Sequence, residues 1–177
     1  MGLDRVVTVA LLDRDGTINL KAPEGDYITS PERVRLLPGA PAAVGRLNRA
    51  GIPVAVVTNQ RGVALGRMTL DDLAAVHRRL DDLLADEAAA HVDAYFTCTH
   101  GLDDCECRKP APGLLLQAAA AFDLSDMTDA VMIGDSVSDI AAGQAVGART
   151  VLIGSAPSPG ADHTAASLEE AVSWLLD

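Results

Sequence analysis

Apolar positions along the 177 residues fall into two alternating kinds of run. Short stretches of nearly continuous hydrophobicity suit strands buried on both faces. They are Val6–Leu12 (broken only by Thr8), Pro53–Val57, Asp93–Thr97, Ala130–Ile133 and Thr150–Ile153. Between them run longer segments, Ala-rich or apolar at helical spacing: Ala40–Ala50, Leu70–Ala90, Pro112–Phe122, Val137–Val146 and Ser167–Leu176. Gly51 and Gly147 supply C-terminal stops, Pro112 suits a first turn, and Thr69 is an N-cap ahead of Asp71 and Asp72. A Pro/Gly/Ser-rich loop, Ser155–Gly160, precedes the last helix. Strand alternating with helix predicts an α/β fold: a Rossmann-like three-layer α/β/α sandwich on a mostly parallel sheet, one domain over residues 1–177.

In such sheets ligands collect beyond the C-terminal ends of the strands. The polar residues that break the apolar runs lie at those ends. Strand one closes in Asp13-Arg14-Asp15-Gly16-Thr17, strand two in Thr58-Asn59-Gln60, and strand four in Gly134-Asp135, with Asp139 four residues on. Arg108-Lys109-Pro110 lies just before the Pro112–Phe122 helix. Taken singly, each piece has a plainer reading: a turn, a helix cap, a surface lysine. Taken together, in this order, they describe one rim.

Three carboxylates converging on a rim repel one another unless a hard cation joins them, and oxygen-only ligands suit Mg²⁺. A lysine beside it adds fixed charge for phosphoryl oxygens and keeps a nucleophilic carboxylate ionised. Thr58 and nearby backbone N–H groups can bind the remaining oxygens. These parts fit phosphoryl transfer to Asp13 through an aspartyl phosphate, with Asp15 placed to protonate the leaving oxygen and then activate water.

The same four segments resemble the haloacid dehalogenase-like hydrolases over roughly residues 6–154. The resemblance implies Asp13 as nucleophile, Asp15 as general acid/base, and Thr58 and Lys109 as ligands of the transferring phosphoryl group. It implies Mg²⁺ held by Asp13, the backbone carbonyl of Asp15, and Asp135. An aspartate at position 15 favours phosphatase over dehalogenase chemistry. Many members carry a cap domain, but the spacings here, about 40 residues between the first and second motifs and about 50 between the second and third, leave room only for loops. The chain is therefore expected to be capless, its pocket framed by Lys21–Tyr27, Arg61–Met68 and a cysteine-containing loop.

That loop holds all three cysteines, in the pattern Cys98-x-His100-x4-Cys105-x-Cys107. Three thiolates and an imidazole form a closed tetrahedral set suited to structural Zn²⁺. The intervening residues are too polar to order themselves by burial, so zinc would supply the folding energy. Arg108 and Lys109 follow Cys107 directly, so the clip would also position them. His77, His91 and His163 are expected at the surface, and Trp174 is expected to pack.

Composition narrows the partners. A formal net charge of -11 disfavours nucleic acid and anionic membranes, so an anionic substrate must be captured locally. No apolar run approaches the ~20 residues that span a bilayer, and no secretory leader pattern is present, so a cytoplasmic enzyme or binding domain is expected; it is separately expected to be a monomer.

Within the family, Asp13–Asn19, the run Asn59-Gln60-Arg61-Gly62-Val63-Ala64-Leu65-Gly66 and the cysteine loop leading into Arg108-Lys109-Pro110 resemble one branch. It comprises D-glycero-D-manno-heptose 1,7-bisphosphate phosphatases and histidinol-phosphate phosphatases. The second segment matches the heptose side better, while Arg61, Leu65 and Ser136 depart from its usual residues. That resemblance implies removal of a 7-phosphate, with Asn59, Arg61, Arg108 and Lys109 contacting the substrate. A histidinol-phosphate phosphatase and a catalytically inactive, zinc-stabilised binding domain remain the alternatives.

Overall fold

The computed structural model describes residues 6–156 and 160–177. Six strands form one parallel sheet in the order β3-β2-β1-β4-β5-β6. They are β1 (Val9–Leu12), β2 (Val54–Asn59), β3 (Ala94–Cys98), β4 (Ala130–Gly134), β5 (Arg149–Ile153) and β6 (His163–Ala165). The helices are α1 (Ala40–Arg49), α2 (Leu70–Ala88), α3 (Gly113–Ala121), α4 (Val137–Ala145) and α5 (Leu168–Leu176), with a 3-10 turn at Pro31–Arg33.

Alternation along the strands divides the core in two. Ala10, Leu12, Val54, Val56, Val131 and Ile133 face α1, α2 and α5. Val9, Leu11, Ala55, Val57, Ala130 and Met132 face α3 and α4. Both faces are covered, which is why the strands read as unbroken apolar runs. The chain winds outward from β1 through β2 and β3, then returns to place β4 on the other side of β1. This reversal opens a crevice between the C-terminal ends of β1 and β4. Among the described residues, loops and turns alone occupy the segments between β1 and α1 and between β2 and α2, so no cap covers the crevice.

The expected elements are present, with adjusted ends. Thr69 caps α2 in a reciprocal capping box with Asp72, but the helix stops at Ala88 because Ala89 turns left-handed at φ 49°. Pro112 is the N-cap of α3, just outside its first turn. The loop predicted over Ser155–Gly160 lies partly outside the described residues. Two histidines correct the sequence reading. His163 sits on the edge strand β6, stacked against Trp174 at 4.4 Å between ring centroids. His77 turns inward, stacked on Tyr95 at 4.2 Å with its Nε2 buried. Burial, reinforced by the charge of Arg14, pushes the His77 pKa down to about 3, so the ring is neutral. No helix among the described residues is long and apolar enough to cross a membrane.

Candidate active site

Asp13 is the first residue beyond β1, and its N–H donates to the carbonyl of Ile133 on β4 at 2.9 Å. The crevice therefore opens at its side chain. Asp13, Asp15, Lys21, Thr58, Asn59, Lys109, Asp135 and Asp139 line a cleft of about 170 Å³ there. The structure thus gathers the predicted catalytic groups, which the sequence spreads over some 120 residues.

Lys109 organises the cleft. Almost fully buried, its Nζ donates to Asp13 Oδ1 at 2.9 Å, Asp139 Oδ1 at 2.6 Å and the Val57 carbonyl at 2.7 Å. Burial disfavours its charge, but Asp13 and Asp139 outweigh that and hold the ammonium protonated above its ordinary range. Burial dominates at Asp13 itself and lifts its pKa to about 6 in spite of Lys109. Asp139, 1% exposed, also accepts from the N–H and hydroxyl of Ser136. The Gly-Asp-x3-Asp spacing signalled this residue, although sequence reasoning gave it no role. Gly134 makes room for it, because a Cβ there would collide with the Asp139 carboxylate.

Asp15 is held by three donors: Arg14 Nη2 at 3.1 Å and Asn19 Nδ2 at 3.0 Å on Oδ1, and Gln60 Nε2 at 2.8 Å on Oδ2. Burial alone would raise its pKa, but the Arg14 charge and these hydrogen bonds prevail and keep the carboxyl below its usual range. Arg14, Asn19 and Gln60 are all buried, and no catalytic motif had flagged them as partners of Asp15. Gln60 Nε2 also donates to Thr58 Oγ1 at 2.9 Å, which leaves the Thr58 hydroxyl proton for a ligand.

Asn59 lines the cleft, but its amide is committed to Lys109: Nδ2 donates to the Lys109 carbonyl and Oδ1 accepts from its N–H. Arg61 and Arg108 are half-buried, with Nε and Nη1 respectively buried and unpartnered among protein atoms. At Asp135, Oδ2 pairs with Lys21 and Oδ1 is buried without a hydrogen-bond partner. Burial raises the Asp135 pKa against the pull of Lys21. Carboxylate oxygens of Asp13, Asp135 and Asp139 lie within 4.8 Å of one another. This oxygen-only set with an orphaned carboxylate oxygen fits a hard divalent cation.

The cysteine loop also closes as expected in geometry. Cys105 Sγ lies 3.5 Å from Cys98 Sγ and 3.3 Å from Cys107 Sγ, and His100 Nδ1 lies 3.6 Å from Cys98 Sγ and 3.2 Å from Cys107 Sγ. A tetrahedral zinc with Zn–S bonds of about 2.3 Å has S···S edges of about 3.8 Å, so the donor set fits that ion with slight expansion. The cluster is anchored at both ends, to the end of β2 and to the start of α3. Gln60 N–H donates to the Cys98 carbonyl at 2.7 Å, and Gly113 N–H, opening α3, donates to the Glu106 carbonyl at 3.2 Å.

Comparisons with known proteins identify the family. The family model for haloacid dehalogenase-like hydrolases matches residues 3–147. The D-glycero-beta-D-manno-heptose-1,7-bisphosphate 7-phosphatase of Pseudomonas aeruginosa is 41% identical over 147 residues, 82% of this chain and 80% of the relative. The D-glycero-alpha-D-manno-heptose-1,7-bisphosphate 7-phosphatase of Mycobacterium tuberculosis is 37% identical over 166 residues, 90% of this chain and 86% of the relative. The crystal structure of D,D-heptose 1,7-bisphosphate phosphatase from B. bronchiseptica, complexed with magnesium and phosphate, superposes with a TM-score of 0.86 at 32% identity, covering 96% of this chain and 98% of that one.

Proposed function

The chain belongs to the haloacid dehalogenase-like hydrolases and is a phosphatase, and from that premise we propose that it removes the 7-phosphate of a D-glycero-D-manno-heptose 1,7-bisphosphate. The observation that carries the mechanism is the contact of Lys109 Nζ with Asp13 Oδ1, which fixes the carboxylate and leaves Oδ2 for attack. Asp13 displaces the substrate oxygen from phosphorus, and Asp15 gives that oxygen the proton it took from water in the preceding turnover. Asp15, returned to the carboxylate that its three donors favour, then takes a proton from the water that opens the aspartyl phosphate.

Lys109 and the Thr58 hydroxyl bind the phosphoryl oxygens. Asp139 and Asn59 act by holding Lys109, one at its ammonium and the other at its backbone. Mg²⁺ would be held by Asp13, Asp135 and the carbonyl of Asp15, and when bound it neutralises charge on the phosphoryl oxygens. Arg61 and Arg108, half-buried and next in sequence to Gln60 and Lys109, are the groups to meet the part of the substrate outside the cleft. Zinc on Cys98, His100, Cys105 and Cys107 is structural, with no open position for chemistry.

Relatives of both anomeric specificities match this chain at similar identity. The deciding experiment is kcat/KM, with Mg²⁺, on the α and β heptose bisphosphates and on histidinol phosphate. One heptose anomer should lead histidinol phosphate by at least about tenfold. Preference for histidinol phosphate would overturn the substrate while leaving the chemistry standing.

A further inference from the structure

Lys21 stands where the catalytic cleft meets a second one. It lines both the 170 Å³ cleft and an adjoining cleft of about 180 Å³, walled by Asp15, Asp26, Tyr27 and Gln60. Its Nζ lies 2.5 Å from Asp135 Oδ2, on the carboxylate assigned above to the divalent cation. The backbone is shaped for this contact. Gly16 has φ 86°, and a Cβ there would collide with both Asp135 Oδ2 and Lys21 Cε. The preceding residue is pinned, since Leu20 N–H donates to the Arg35 carbonyl at 2.8 Å and the Leu20 carbonyl accepts from Asn19 Nδ2 at 2.9 Å. The Lys21 side chain itself is half exposed, on a flexible four-carbon stem.

An ammonium on Asp135 Oδ2 and a divalent cation on the orphaned Oδ1 of the same carboxylate would stand only a few ångströms apart, and their like charges disfavour joint occupancy. We propose that Lys21 is an exchangeable cation of the active site: it competes with the divalent cation for Asp135 and, on ceding that carboxylate, turns its ammonium onto the anionic oxygens of the bound phosphate ester. The proposal rests on the reading that Asp13 and Asp135 hold the cation. Its consequence is linkage. A cation on Asp135 releases Lys21 to the phosphate, and a phosphate that captures Lys21 releases Asp135 to the cation, so each strengthens the other's binding.

The test is calorimetric titration of Mg²⁺ into the full chain, dialysed into Mg²⁺-free buffer without chelator, in the absence and presence of inorganic phosphate. Lys21→Met and Lys21→Ala should bind Mg²⁺ about three- to tenfold more tightly than wild type without phosphate, because the competing cation is gone. Phosphate should bind their Mg²⁺-loaded forms several-fold more weakly, and it should tighten Mg²⁺ binding less than in wild type. Mg²⁺ affinity that is unchanged or weaker in both variants overturns the proposal, as does unchanged phosphate affinity. Asp135→Asn separates the two levels of argument. Loss of Mg²⁺ binding in that variant upholds the cation assignment whatever Lys21 does, whereas retained binding overturns that assignment and the exchange with it.

Discussion

Asn59 closes a two-point clasp on Lys109, its Oδ1 accepting from the lysine's N–H at 3.1 Å and its Nδ2 donating to the lysine's carbonyl at 3.0 Å. The end of β2 thereby fixes, across fifty residues, the backbone from which the buried ammonium reaches Asp13. Asn59→Ala removes both bonds and leaves two half-buried backbone groups without these partners. The expected loss is about 1–3 kcal/mol of stability, read by urea unfolding, with kcat falling at least about tenfold as Lys109 loses its aim. An unchanged kcat would show that Asp139 and the Val57 carbonyl hold the ammonium unaided.

Asp13→Asn should abolish Mg²⁺-dependent turnover, and it should also alter how stability responds to pH. The folded carboxyl holds its proton up to about pH 6, against 3.8 for the unperturbed group. Between those values the folded state binds more protons than the unfolded one, so this residue's contribution falls as pH rises from about 4 to about 6 and is level above that. In Mg²⁺-free buffer the stability of Asp13→Asn relative to wild type should therefore improve by about 2 kcal/mol from pH 4.5 to pH 7.5. Paired denaturant titrations at the two pH values measure it. A difference that stays constant with pH would place the Asp13 pKa near its ordinary value.

Residues that act through regular backbone were legible before any coordinates. The apolar runs ending at Leu12, Val57 and Ile133 marked β1, β2 and β4, and the polar residues directly after them became the rim. What escaped depended on side chains meeting across the fold. Nothing in its local spacing shows that Arg14 is buried against Asp15, or that His77, within a charged helix, stacks on Tyr95. Lys21 reaches Asp135 from a loop with no periodicity to read. Strand β6 has three residues and no apolar run; it exists because the edge of β5 offers unpaired backbone groups to His163–Ala165.

The cysteine cluster predicts a metal stoichiometry. Protein purified without chelators should carry about one zinc per chain by elemental analysis. Cys98→Ser should lose it, since it removes one of the three thiolates of the four-ligand set. Stability and turnover should fall together, because the loop that loses its metal leads directly into Arg108 and Lys109. Full stability without bound zinc would show that the thiols pack as ordinary core residues.

Two glycines at strand ends separate steric need from mere flexibility. A Cβ at Gly134 would collide with three atoms of the Asp139 side chain, whereas a Cβ at Gly154 would meet nothing nearer than 3.9 Å. Asp139 cannot retreat freely, since its carboxylate accepts from Lys109 Nζ, Ser136 N–H and Ser136 Oγ. Gly134→Ala must therefore displace Asp139, costing about 1–3 kcal/mol of stability, and it must draw the Lys109 ammonium away from Asp13. Gly154→Ala should stay within about 0.5 kcal/mol of wild type, with kcat unchanged. Urea unfolding and steady-state kinetics on the two variants make the comparison. Equal behaviour would mean that Asp139 does not set the position of Lys109.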